Sequence, residues 1–323
     1  MTVLVTGAAG FIGMNVSLAL MARGETVVGI DNLNDYYDVS LKEARLARLT
    51  AHNAFSFVRG DIGDADTLAE AGNGVDRIVH LAAQAGVRYS LENPGAYIQA
   101  NIVGHMNVIE LARALGDDLK HLVYASSSSV YGGNTKLPFS VDDQVDNPVS
   151  LYAATKKADE LMSHAYSSTF RLPQTGLRFF TVYGPWGRPD MSLYIFTRKI
   201  LAGDPIPVFN HGKMQRDFTY IDDIVAGVLA ALDNPPPRDG EDVPHRVYNL
   251  GNHSSEPLMR FIGLIEEALG EKAEIDFQPM QPGDVPATYA DIEASRRDLG
   301  FEPRVPIDEG IPRFVEWYRE FHG

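Results

Sequence analysis

Residues 7–13 read Gly-Ala-Ala-Gly-Phe-Ile-Gly, with glycines at every third position. The run follows an apolar triplet, Val3-Leu4-Val5, and opens a helical pattern from about Ile12 to Arg23 that Gly24 ends. Thr26 to Ile30 repeats the short buried-strand pattern. This β-α-β unit of about 30 residues constrains the fold more than any other feature of the chain. A tight strand-to-helix turn needs residues without Cβ where the backbone must bend or pack closely. The same turn aims main-chain N–H groups and the positive end of a helix dipole at one point, which suits a pyrophosphate. Gly7, Gly10, Phe11, Ile12 and Gly13 are therefore the expected wall of a dinucleotide site.

Asp31 ends the second strand, with Asn32 beside it. A carboxylate there accepts hydrogen bonds from an adenosine ribose and repels a 2′-phosphate, so the expected cofactor is NAD rather than NADP. Further strands are predicted at 55–58, 77–81, 121–125 and 175–180, with helices between them that include 101–115 and 152–170. Alternating strands and helices predict a Rossmann-type, doubly wound parallel sheet. Asp61 and Ile62 follow the third strand, where an adenine edge is expected. Leu81, Ala82 and Ala83 follow the fourth and are small enough to let a cofactor lie close.

Tyr152 and Lys156 stand four apart, so a helix puts both on one face. A nearby ammonium favours the phenolate, which makes the tyrosine a candidate general base for a hydroxyl proton. A serine run, Ser126-Ser127-Ser128-Ser129, follows the predicted strand 121–125 at the sheet edge where ligands bind in such folds. A hydroxyl there can relay a proton or orient a reacting oxygen.

These segments together resemble the extended short-chain dehydrogenase/reductase family, and within it the nucleotide-sugar epimerases. The likeness spans the chain: GAAGFIG, Asp31, HLAA at 80–83, Asn101, SSSSVYG at 126–132, YAATK at 152–156, VYGP at 182–185 and RDFTYIDD at 216–223. It implies that Ser127, four residues before the Tyr of VYG, is the catalytic hydroxyl beside Tyr152 and Lys156, with Ser128 as its neighbour. It implies NAD contacts from Asn101 and Tyr183 as well as from the segments above. Dehydratases of this family carry Asp-Glu after the catalytic hydroxyl. Here Ser128 and Ser129 stand there, so water elimination is disfavoured.

The stretch RFFTVYGPWGRPDM at 178–191, with DNLNDYYDVSLKEARL at 31–46 and GVRYS at 86–90, resembles UDP-glucuronate 4-epimerases. Galactose-type epimerases and glucuronate decarboxylases usually carry Asn where Thr181 stands. The chemistry this implies is specific. Oxidising C4 of a glucuronate gives a β-keto acid, which loses CO₂ when its carboxylate aligns with the carbonyl. A 4-epimerase must hold the carboxylate out of that alignment, and a planar arginine fork suits the task. Thr181 and Arg188 are the candidates, with Arg88 a second cation. The resemblance also places Arg216 on the diphosphate and Asp284 on the nucleotide ribose, and Phe209 is a candidate to stack on uracil. Gln281 stands where galactose epimerases often carry a phosphate-binding arginine. The competing readings are a UDP-glucose/galactose 4-epimerase, a decarboxylase that makes a UDP-pentose, and a non-catalytic NAD-sensing protein. That last class typically lacks the Tyr/Lys pair, which is intact here.

The remaining properties bound this reading. With 28 basic and 43 acidic residues the formal charge is −15, which argues against a nucleic-acid partner. No apolar run approaches a membrane span, no metal site is expected, and there are no cysteines, which suits a reducing cytoplasm. Proline and glycine become frequent after about residue 180. The expected division is a nucleotide-binding domain at 1–180, with elements returning near 219–250, and a smaller, partly interleaved substrate lobe at 181–323. The loop 233–243 is expected to be disordered. A homodimer through the helices near 101–115 and 152–170 is what the resemblance implies.

Overall fold

The computed structural model describes residues 1–281 and 283–323. Seven strands run parallel in one sheet: β1 (Thr2–Thr6), β2 (Thr26–Asp31), β3 (Phe55–Arg59), β4 (Arg77–His80), β5 (His121–Ser127), β6 (Gln174–Phe179) and β7 (His245–Leu250). Their spatial order is β3-β2-β1-β4-β5-β6-β7, a Rossmann-like α/β arrangement. The chain winds outward from β1 to β3, then returns to lay β4 against the other side of β1. That reversal opens a crevice beyond the C-terminal ends of β1 and β4, where ligands bind in such sheets.

Strand alternation assigns the two faces. Val3 and Val5 pack with Met14, Val16 and Leu20 of the helix Phe11–Ala22, and with Ile224 and Val228 of the helix Ile221–Asp233. Leu4 points the other way and packs with Leu68, Val108, Ile109 and Ala112 from the helices Ala65–Ala71 and Gly104–Leu115. Met162 and Tyr166 of the long helix Leu151–Phe170 join that second face. β6 is buried along its whole length because it lies between β5 and β7 under both layers.

Two elements differ from expectation for visible reasons. β5 runs two residues further, to Ser127, because Ser126 and Ser127 pair with Arg178 and Phe179 of β6. The helix expected from residue 101 begins earlier, as a π-helical turn at Ile98–Val103. The loop expected to be disordered is instead tethered. Arg171 donates to the Arg238 carbonyl at 3.0 and 2.7 Å, and Arg238 donates to the carbonyls of Gly116 and Leu119 at 2.8 and 2.5 Å.

After β6 the chain leaves the sheet, returns for Ile221–Asp233 and β7, and otherwise builds a second apolar cluster. The helices Ser192–Ala202, Leu258–Leu269 and Ile307–His322 pack there around Tyr194, Phe218, Phe261, Phe314 and Trp317. Phe218 and Phe261 stack with ring centroids 4.1 Å apart. Asp217, fully buried, ties this region to the sheet by accepting from the backbone N–H groups of Asn252, His253 and Ala290 at 2.6, 3.1 and 3.0 Å. Among the described residues no helix is long and apolar enough to cross a membrane.

Candidate active site

A cavity of about 730 Å³ runs from the glycine loop, past the C-terminal ends of β4 and β5, to the aromatic region beyond β6. The turn after β1 is built on bare backbone. Gly7 has φ +70°, and a Cβ there would stand 2.8 Å from the Ala82 nitrogen. A Cβ on Gly13 would stand 2.0 Å from the Gly7 carbonyl, so the helix seats on the strand end only with glycine at both points. Gly10, Phe11 and Ile12 complete this wall. Across the crevice, Thr6 Oγ1 accepts from the N–H groups of Leu81 and Ala82 at 3.2 and 3.1 Å, which fixes the Leu81-Ala82-Ala83 segment close by.

Asp31 closes the far side. Its carboxylate accepts from Ala9 N–H at 3.0 Å and Leu33 N–H at 2.9 Å. Burial pushes its pKa up, against the opposing pull of Leu33 N–H and Lys42. Asp61 accepts from Gly63 N–H at 2.7 Å and from Asn32 Nδ2 at 2.8 Å, so Asn32, Asp61 and Ile62 form one rim. This set of a glycine cradle, free helix-start N–H groups and a strand-end carboxylate fits a dinucleotide.

The serine run and the Tyr/Lys pair meet in the middle. Ser127 caps its own turn, its Oγ accepting from Ser129 N–H at 3.1 Å, and it lines the cavity with Ser128 and Ser129. Ser150 caps the helix Leu151–Phe170 by accepting from Ala153 N–H at 3.1 Å. That start places Tyr152 and Lys156 on the helical face that lines the cavity. Tyr97 meets the Tyr152 ring edge-on, with centroids 6.1 Å apart. Lys156 is 3% exposed, and its Nζ lies 2.5 Å from Asp159 Oδ2.

The cations of the other half are partly spoken for. Arg188 forms a bidentate pair with Asp190, to which Tyr36 also donates at 3.1 Å. Burial works to lower the Arg188 pKa, but Asp190 prevails and it is raised. Burial, with Asp190 beside it, pushes the Tyr36 phenol up to about 12. Arg88 pairs with Asp284 at 3.0 Å and stacks over the Phe209 ring at 4.4 Å, so three separately expected residues form one cluster. Arg216 donates only to the carbonyls of Gln215 and Pro286 and has no carboxylate partner among the described residues. Thr181 lines the same cavity as the serines and Arg188.

Two expected cofactor residues are off the wall. Asn101 is buried and fully engaged: its Oδ1 accepts from Gln84 N–H at 2.8 Å, and its Nδ2 donates to the Gln84 carbonyl and Thr155 Oγ1 at 3.1 and 3.0 Å. It braces the segment after β4 against the helix Leu151–Phe170. Tyr183 turns into the second apolar cluster, its hydroxyl donating to the Pro306 carbonyl at 3.3 Å. Conversely, Tyr36, Lys42 and Asp190 line the cavity, although no motif singles them out as site residues. Lys42 donates to the carbonyl and side chain of Asn34 at 2.6 and 2.5 Å. Tyr36 and Lys42 lie in the DNLNDYYDVSLK segment and Asp190 in RFFTVYGPWGRPDM, but the spacing of these segments does not reveal which side chains turn inward.

The model of a family described as NAD dependent epimerase/dehydratase matches residues 3–251. UDP-glucuronate 4-epimerase 4 of Arabidopsis thaliana is 49% identical over 333 residues, covering 99% of this chain and 76% of that protein. A probable UDP-glucuronate 4-epimerase of Rhizobium meliloti is 47% identical over 332 residues, covering 98% and 97%. The crystal structure of UDP-glucuronic acid 4-epimerase from Bacillus cereus, in complex with UDP-glucuronic acid and NAD, superposes with a TM-score of 0.92 at 33% identity, covering 99% and 100%.

Proposed function

The chain belongs to the NAD-dependent epimerase/dehydratase family, and from that premise we propose that it interconverts UDP-glucuronate and UDP-galacturonate. The observation that carries this reading is the continuity of one cavity. It joins the glycine cradle to Ser127, Tyr152 and Lys156, and those to Thr181, Arg188 and Arg216. A dinucleotide, an acidic sugar and a diphosphate meet their matching groups in that order along it.

The chemistry that NAD supplies when bound is reversible removal of the C4 hydrogen. Gly7, Gly10, Gly13, Asp31, Asp61 and Lys156 hold it. Tyr152 takes the C4 hydroxyl proton, Ser127 orients that hydroxyl, and Lys156 keeps the phenolate favoured. Tyr152 gives the proton back once the 4-keto sugar has turned its other face. Nε and Nη2 of Arg188 are held by Asp190, which leaves Nη1 to grip the sugar carboxylate with Thr181 and keep it out of line with the C4 carbonyl. Arg216, without an anionic partner among the described residues, takes the diphosphate. The Arg88–Phe209–Asp284 cluster closes over the uridine. Serines at 128 and 129 place no acid where dehydration needs one.

Residues 1–180 with 219–250 act as the NAD-binding domain, and most of 181–323 as the substrate lobe. The enzyme works as a homodimer through Gly104–Leu115 and Leu151–Phe170, a reading supported by the exposed Leu161 and Phe170, 58% and 45% accessible. The cysteine-free sequence fits a cytoplasmic enzyme. Incubation with UDP-glucuronate and product assignment by NMR tests the proposal. UDP-galacturonate is expected; a UDP-pentose or unreacted substrate argues against it.

A further inference from the structure

The helix that carries the catalytic pair has a third polar residue on the same face. Tyr152, Lys156 and Asp159 stand at i, i+4 and i+7. Asp159 is 0% exposed. Its Oδ2 lies 2.5 Å from Lys156 Nζ, while its Oδ1 has no partner. The neighbouring Glu160 makes the contrast plain. It is held by Arg178 at 2.8 and 2.9 Å and by Ser126 at 2.7 Å, so its charge serves the junction of β5, β6 and this helix. Asp159 forms no ion pair besides the one with Lys156 among the described residues.

The other titratable groups around Asp159 do not compete for that role. His105, from the helix Gly104–Leu115, sits with its ring 5.2 Å from that of His80 at the end of β4 and 5.2 Å from that of Tyr124 in β5. His105 Nε2 is engaged with Ser163 Oγ at 2.9 Å, and His80 Nδ1 with Thr6 Oγ1 at 2.7 Å. Tyr124 is hydrogen-bonded to His245 of β7 at 2.8 Å. Burial holds His80, His105 and His245 below the ordinary imidazole value, so these three are neutral near pH 7. Tyr97 packs edge-on against the Tyr152 ring, and its hydroxyl donates to the Ala85 and Gly86 carbonyls. Arg178 belongs to Glu160. The charge balance at Lys156 therefore rests on Asp159.

We infer that Asp159 is a positioning residue for the epimerisation proposed above: its buried carboxylate fixes the Lys156 ammonium at the cavity wall and keeps it charged, and thereby sets the pH range in which Tyr152 acts as base. The physical reason is desolvation. An ammonium removed from water without a counter-ion sheds its proton. A neutral Lys156 no longer favours the phenolate. One ammonium hydrogen goes to Asp159, and two remain for the cavity side. Burial also pushes the Asp159 carboxyl up, against the pull of Lys156.

The test uses the purified NAD-loaded enzyme and the variants Asp159→Asn, Lys156→Met and Lys156→Met/Asp159→Asn. The ultraviolet phenolate absorbance, with Tyr152→Phe as the blank, reports Tyr152 whether or not UDP-glucuronate is a substrate. In Asp159→Asn the midpoint of that absorbance, and the acidic limb of kcat, are expected to move up by about one pH unit or more. At about pH 7.5 kcat falls roughly tenfold, with KM within about threefold of wild type. Adding Asp159→Asn to Lys156→Met is expected to change kcat by less than about twofold, because the carboxylate acts through the ammonium. A folded Asp159→Asn protein with the wild-type absorbance midpoint overturns the inference. So does a double variant more than about fivefold slower than Lys156→Met. The double variant buries no charge, so that comparison stands even if Asp159→Asn alone does not fold. Failure of wild type to turn over UDP-glucuronate counts against the proposed function, and the absorbance midpoints still decide the role of Asp159.

Discussion

Nε and Nη2 of Arg188 lie 3.0 and 2.5 Å from the two carboxylate oxygens of Asp190, a bidentate pair set in the cavity wall. Asp190 consumes one edge of the guanidinium and fixes its plane. The remaining edge then meets a sugar carboxylate in one orientation. A hydrogen bond to a charged group contributes about 1.5–3 kcal/mol. Arg188→Ala is therefore expected to lower kcat/KM for UDP-glucuronate by roughly ten- to a hundredfold and to release a UDP-pentose detectable by NMR, because the β-keto acid is no longer held out of alignment. Wild-type kinetics with no pentose would remove Arg188 from the account.

Replacing Tyr152 with Phe deletes the proposed base and keeps the ring that Tyr97 packs against. General-base loss typically costs about 10²- to 10⁴-fold in rate. NAD released on denaturing the purified variant should match wild type, because the cradle residues are untouched. Turnover near the wild-type rate would mean that another group takes the proton.

Much of this was legible before any coordinates. The glycine spacing requires the close backbone contacts at Gly7 and Gly13, and the alternation of strands and helices predicts the parallel sheet. The Tyr152–Lys156 spacing needs only a helix. What motif position does not fix is side-chain direction. Asn101 and Tyr183 sit in segments typical of a cofactor site, yet Asn101 spends its amide on Gln84 and Thr155, and Tyr183 packs against Gly310. Asp190, two residues from Arg188, and Asp159, three from Lys156, are invisible as partners until the fold removes water and leaves each cation one carboxylate. The tethering of loop 233–243 by Arg171 and Arg238 is likewise a tertiary effect that composition cannot report.

Asp31 is the residue proposed to set the choice of dinucleotide. Its carboxylate is oriented by the N–H groups of Ala9 and Leu33, so its remaining lone pairs face the cavity. Asp31→Ser is expected to weaken NADH binding by about tenfold or more, from the loss of charged hydrogen bonds. The repulsion against a 2′-phosphate disappears as well, so the NADPH-to-NADH affinity ratio should rise. Fluorescence titration with both reduced cofactors measures it, and an unchanged ratio would contradict the assignment.

The buried histidines predict acid sensitivity. Burial holds His80 at about 3, His121 and His245 at about 4, and His105 well below the ordinary value. Between about pH 6.5 and 4 the unfolded chain binds more protons than the folded one, so stability is full above about 6.5 and falls as pH drops. Each histidine then costs about 2 kcal/mol at pH 5. Asp159 and Asp217, raised by burial to about 6, act in the opposite sense, their contribution being lost as pH rises through that value. Burial raises Asp31, Asp222 and Asp223 in the same sense, and the four histidines together outweigh these carboxyls. The thermal midpoint followed by circular dichroism should fall from pH 7 to pH 5, and a midpoint that holds or rises would contradict this balance.

The proposed epimerisation oxidises and re-reduces one carbon within one bound complex. UDP-glucuronate carrying deuterium at C4, turned over in ordinary water and followed by NMR, tests that most directly. The prediction is UDP-galacturonate with the deuterium still at C4, because the hydrogen removed is the one returned. Loss of the label to solvent, or a UDP-pentose as the main product, would contradict it.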